Sequence, residues 1–157
     1  MAMPVKIEHR LGIQAPPEAI WAVIVDIPGW SAWNPIYPRA EGVVRIGSQL
    51  TLEMKLPGVP PVIRPTVVDW VPNEQILWRL SLAGGLASSI RYLEIEQLTE
   101  TGCIFSNGEL FQGFLGPSIG QRRRATLRAA FTAMGEAVKA RVEATWRPEA
   151  PAPRLSP

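Results

Sequence analysis

Val5, Ile7, His9, Leu11 and Ile13 alternate with Lys6, Glu8, Arg10, Gly12 and Gln14. A period of two sends alternate side chains to opposite faces, so the segment predicts a strand with one buried face. His9 falls on the apolar side. Ala15-Pro16-Pro17-Glu18 ends the strand. Proline gives up no hydrogen bond in the first turn of a helix, and a carboxylate suits the positive end, so a helix starts here. Ile20, Trp21, Ile24 and Val25 carry it to Asp26-Ile27-Pro28-Gly29, and Trp30 to Asn34 predicts a second short helix closed by Pro35.

The middle of the chain reads as strands. Arg39 to Arg45, turned at Gly47, is followed by Leu50, Leu52, Met54 and Leu56 alternating with Thr51, Glu53 and Lys55. Pro57-Gly58-Val59-Pro60-Pro61 has too many prolines to pair inside a sheet, and Pro65 marks an edge or a bulge within a strand from Val62 to Val71. Ile76 to Leu82, Ser89 to Gln97 and Cys103 to Phe111 complete the set, turned at Gly84-Gly85 and at Thr99-Glu100-Thr101-Gly102. Connections this short predict antiparallel neighbours, because parallel pairs need long crossovers. Beyond Gly116 the period changes. Leu127, Phe131, Met134, Val138 and Val142 fall at helical steps, predicting one amphipathic helix over Pro117 to Trp146, about 45 Å long. The pattern thus predicts an α+β fold, a curved antiparallel sheet wrapped around a long C-terminal helix. It reads as a single domain over residues 1–147 with a disordered proline-rich tail over 148–157.

Composition narrows the function classes. Hydrophobic residues make up 46% and charged residues 19% of 157, which is globular rather than disordered. Sixteen Lys and Arg against 14 Asp and Glu leave a net charge of +2, too even for a dense phosphate-binding face, so no nucleic-acid partner is expected. The lone cysteine, Cys103, predicts an inert core thiol, and one His with one Cys cannot build a structural zinc site. No glycine-rich phosphate loop occurs, and no cofactor or metal is expected. Charges begin at Lys6, and no run reaches the ~18 apolar residues of a membrane span, so a cytoplasmic protein without a transmembrane segment is expected, as monomer or homodimer.

Ala15-Pro16-Pro17-Glu18-Ala19-Ile20-Trp21, Asp26, Trp33-Asn34-Pro35, Pro72-Asn73-Glu74, Leu77-Trp78-Arg79 and Glu109-Leu110-Phe111-Gln112-Gly113 occur in that order between Val5 and Val142. Together they resemble the START-related helix-grip superfamily (SRPBCC), in its polyketide cyclase/dehydrase-like branch. The resemblance implies about seven strands gripping the last helix, two short helices after the first strand, and a cavity between sheet and helix. Members bind lipids, sterols, polyketides, hormones or quinones, and some catalyse cyclisation or dehydration. Arg91 stands where members of the branch often carry His.

Strand parity then names candidate lining residues. Cys103, Phe105, Asn107, Glu109 and Phe111 share one face, as do Arg91, Leu93 and Ile95. Met54, Trp78 and His9 join the same wall, Phe131 and Met134 face it from the helix, and Trp33 stands near the expected mouth. A lining this apolar with His9, Arg91, Asn107 and Glu109 as its polar groups has the character of a small-molecule site. A buried unpaired charge is costly, so Arg91 and Glu109 are expected to pair with each other, reach water or meet a ligand. The first reading is a carrier or sensor of a hydrophobic small molecule. The second is a cyclase or dehydratase in which Glu109 and His9 move protons and Arg91 stabilises an enolate oxygen. The third, prompted by Arg122-Arg123-Arg124, is a membrane-associated quinone or lipid chaperone.

Overall fold

A computed structural model describes residues 3–148. The tail expected to be disordered lies, beyond Pro148, outside the described residues. Strand β1 (Val5–Ile13) leads into helix α1 (Pro17–Val25) and a 3-10 turn at Pro28–Ala32. Seven strands follow: β2 (Arg39–Glu41), β3 (Thr51–Glu53), β4 (Val62–Ile63), β5 (Thr66–Val71), β6 (Gln75–Leu82), β7 (Ala87–Thr99) and β8 (Gly102–Gln112). Helix α2 (Gly116–Thr145) closes the order.

Two antiparallel sheets form, one in the order β1-β8-β7-β6-β5 and the other β2-β3-β4. A bridge between Gln49 and Thr66, with backbone hydrogen bonds from Gly47 to Val67, from Val67 to Ser48 and from Leu50 to Pro65, joins them. The expected strand from Val62 to Val71 is two strands, because Pro65 has no N–H for a ladder and breaks the pairing there. Arg39 to Arg45 pairs only over its first three residues. At Gly42 (φ +126°) the chain turns so closely over Leu50 that an added Cβ would come 2.6 Å from its Cδ2. Register shifts between Val67 and Asp69 and between Gln97 and Thr99 help to curve the large sheet.

The period-two reading of the faces holds. Ile7, Ile13, Cys103, Phe105, Phe111, Leu93, Trp78, Ile76 and Val67 are buried on the concave side. Helix α2 lies across that side, mainly on β1 and β8. Its seam is Ile119, Leu127, Phe131, Met134, Val138 and Val142, all buried. Glycines let it come close: a Cβ on Gly120 would lie 2.9 Å from Val5 Cγ1, and one on Gly135 2.7 Å from His9 Nδ1. Reading the seam back by four from Leu127 lands on Arg123, a cation at a position that would otherwise take an apolar side chain. The gap between sheet and helix opens beside it.

Candidate functional site

Arg91 and Glu109 are direct cross-strand partners on β7 and β8, and both point to the concave side. They are not an ion pair: no contact within 4.0 Å joins them. The Arg91 guanidinium turns toward the helix instead. Its Nε donates to Tyr37 Oη at 3.1 Å. Nη1 donates to the carbonyls of Tyr92 (3.1 Å) and Gly108 (3.0 Å). Nη2 donates to Asn107 Oδ1 at 3.0 Å and meets Met134 Sδ at 3.2 Å. A guanidinium has five N–H donors, so all are occupied and none is left over. The plane also sits over the Phe131 ring, 4.1 Å from its centre, which favours a desolvated cation. Arg91 is 3% exposed, and dipoles and a π face, with no carboxylate in direct contact, surround its charge.

Tyr37 reaches this network because of a local turn. Asn34 Oδ1 accepts from the backbone N–H of Ile36 (3.0 Å) and Tyr37 (3.3 Å), the self-bonding for which asparagine is favoured in turns. The turn drops Tyr37 among Trp30 and Trp78, with ring centres 5.3 and 6.5 Å away. Burial raises the Tyr37 hydroxyl above its ordinary pKa, partly offset by Arg91. Asn107 completes the set: its Nδ2 donates to Phe131 O at 3.0 Å, tying the sheet to the middle of α2.

Glu109 stays beside a small inner cavity of ≈ 20 Å³, room for about one water molecule. Tyr37, Met54, Ile63, Trp78, Leu80, Ser89, Arg91, Arg123 and Leu127 share its walls. Burial raises the Glu109 carboxyl above its ordinary pKa, opposed by the Ser89 hydroxyl and by the charges of Arg91 and Arg123. The cavity opens outward. Pro60, Ile63, Leu80 and Arg123 also line an open groove of ≈ 720 Å³ between the Pro57–Ile63 segment, the end of β6 and the first turns of α2.

Of the eleven residues expected to line a site, Met54, Trp78, Arg91 and Glu109 border the inner cavity. Asn107, Phe105, Phe111, Phe131 and Met134 are buried where the helix rests directly on the sheet. His9 is elsewhere: it lies under Gly135, and its Nδ1 is buried without a hydrogen-bond partner. It does not border the inner cavity beside Glu109. Trp33 packs edge-on against Trp30 rather than at the mouth. Cys103 is a buried thiol 3.3 Å from the Ala15 carbonyl, and burial raises its pKa. Sequence reading missed Tyr37 and Ser89, and it named Arg123 only within the basic start of the helix, not on the cavity wall. Ser89 shares its parity with Arg91, and Arg123 continues the α2 seam, so both had a signal. Tyr37 lies in an irregular loop and had none.

A family model described as polyketide cyclase / dehydrase and lipid transport matches residues 4–146. Among solved structures, the Zhui aromatase/cyclase from Streptomyces sp. R1128 is 18% identical, with a TM-score of 0.72 over 90% of this chain and 94% of that one. A START superfamily protein from Mycobacterium smegmatis is also 18% identical, with a TM-score of 0.68 over 88% and 97%. Norcoclaurine synthase from Thalictrum flavum, in complex with dopamine and hydroxybenzaldehyde, is 15% identical, with a TM-score of 0.67 over 93% and 90%. A search of curated proteins finds no match.

Proposed function

The chain belongs to the polyketide cyclase / dehydrase and lipid transport family, and we propose that it holds a hydrophobic small molecule between sheet and helix, as carrier or sensor. One observation carries the reading: the groove beside α2 shares Pro60, Ile63, Leu80 and Arg123 with an inner cavity that has Glu109 at its wall. A groove of ≈ 720 Å³ has the size of a small-molecule site. Ile63, Leu80, Leu82 and Ile119 supply apolar wall. No helix among the described residues is long and apolar enough to cross a membrane.

The test is a titration with the neutral fluorophore N-phenyl-1-naphthylamine. Saturable fluorescence enhancement is expected. Leu80 borders both groove and cavity, so Leu80→Trp should weaken binding about tenfold or more by filling the throat. Circular dichroism checks that the variant folds. Absence of saturable binding, or binding indifferent to Leu80→Trp, overturns the reading.

A second reading, acid–base chemistry of the cyclase or dehydratase kind, has one observation in its favour. Glu109, with a raised pKa, and the Tyr37 hydroxyl border the same cavity. A carboxyl whose burial favours the protonated form is a candidate proton donor for such chemistry. His9 does not border this cavity, and Arg91 has no free donor for an enolate oxygen. Cyclisation of a poly-β-ketone that survives Glu109→Gln would remove this reading.

A further inference from the structure

Three arginines line the outer groove, and no acidic residue does. Arg64 stands on the connection between β4 and β5, and Arg122 and Arg123 on the second turn of α2. Among the described residues, no carboxylate lies within 4.0 Å of any of the three guanidinium groups. Elsewhere the chain does balance surface cations: Arg10 meets Glu96 at 3.1 Å and Arg39 meets Glu41 at 3.1 Å. Arg124, the next residue on the helix, donates to Gln121. Arg123 also faces Glu109 across the inner cavity, and Arg64 shares a second surface pocket with Glu53, yet none of the three arginines is held in an ion pair, and as like charges around one concave surface they repel one another. They also focus a positive potential into the groove.

The buried guanidinium at the floor offers an anion no donor. Arg91 has every donor occupied, and Glu109 is neutral or negative. Charge complementarity is therefore available only at the rim. We propose that the ligand of this groove is an amphiphile with one anionic group of the carboxylate or phosphate class. Arg64, Arg122 and Arg123 hold that group, and the apolar body lies along Ile63, Leu80 and Ile119 toward the inner cavity. This rests on the reading of the groove as an apolar-ligand site, and adds the ligand's charge and its direction of entry.

The experiment compares dodecanoate with methyl dodecanoate, both below their aggregation concentrations, by displacement of N-phenyl-1-naphthylamine. The acid should bind about tenfold tighter than the ester, as charge-assisted hydrogen bonds to two or three guanidinium groups imply. In Arg64→Gln/Arg122→Gln/Arg123→Gln the acid's advantage should fall to about twofold or less. The triple Lys variant, which keeps the charge without the planar fork, should retain part of it. Equal affinity of acid and ester in the wild type, or an advantage unchanged by the Gln substitutions, overturns the proposal while leaving the apolar-ligand reading intact. Failure of both probes to displace the fluorophore, or of the fluorophore to bind, overturns both. A third arm uses phosphatidylglycerol and phosphatidylcholine vesicles. Sedimentation with the anionic vesicles that depends on the arginines, without an acid advantage in solution, would assign the charges to a membrane surface and overturn the groove assignment.

Discussion

Replacing Arg91 by methionine, a side chain of similar length with no N–H donors, tests whether this buried cation organises the core. Four oxygen acceptors lose a charged donor: Tyr37 Oη, Asn107 Oδ1 and the carbonyls of Tyr92 and Gly108. Orphaned buried acceptors cost about 1 to 3 kcal/mol each, or about 4 to 12 in sum. Removing the guanidinium also removes its own desolvation penalty, which returns several kcal/mol. The net expectation is a loss of about 3 kcal/mol, a large share of the 5–15 typical of a domain. At this chain length that lowers Tm by roughly 6–12 °C. Urea unfolding followed by tryptophan fluorescence measures it, because Trp30 and Trp78 are buried around the site. Arg91→Lys keeps the charge but offers three donors for five acceptors, and should fall between the wild type and the methionine variant. A methionine variant within about 0.5 kcal/mol of the wild type would refute the reasoning. If that same variant lost N-phenyl-1-naphthylamine binding, Arg91 would be a ligand contact rather than a structural one.

Two further outcomes follow from the same geometry. Glu109 has a folded-state pKa raised above its ordinary 4.5 by burial, so the folded protein holds this proton more tightly than the unfolded chain does. That contribution is complete below the unfolded value and is lost as pH rises through the folded one. Glu109→Gln should therefore melt with the wild type near about pH 4 and above it at about pH 8; a difference that does not widen with pH refutes this. Gly120→Ala should destabilise by about 1–2 kcal/mol in urea titration. Overpacking against the stiff Val5 outweighs the gain in helix propensity of just under about 1 kcal/mol, and a more stable variant would show that the helix can lift without cost.

The alternation of side chains along β1, β7 and β8 was enough to say which residues face inward, and the four-and-three spacing from Leu127 to Val142 was enough to mark the helix that covers them. Both signals are local: a strand's parity and a helix's period follow from backbone geometry, whatever the rest of the chain does. They put Arg91 and Glu109 on one face and made them neighbours once β7 and β8 paired. Parity also put His9 on the inner side, where it lies under Gly135 of α2 and not along the inner cavity. Whether the guanidinium would meet the carboxylate was beyond local geometry. A long side chain on a strand can reach several partners, and here Tyr37, 54 residues away and delivered by the Asn34 turn, combines with Asn107 and two carbonyls to draw it off. The side chains that fill the space between sheet and helix, Arg91 over the Phe131 ring among them, were likewise beyond local geometry. Faces and periods belong to the chain one residue at a time. The partner of a buried charge depends on every element packed around it, so only the tertiary structure could decide it.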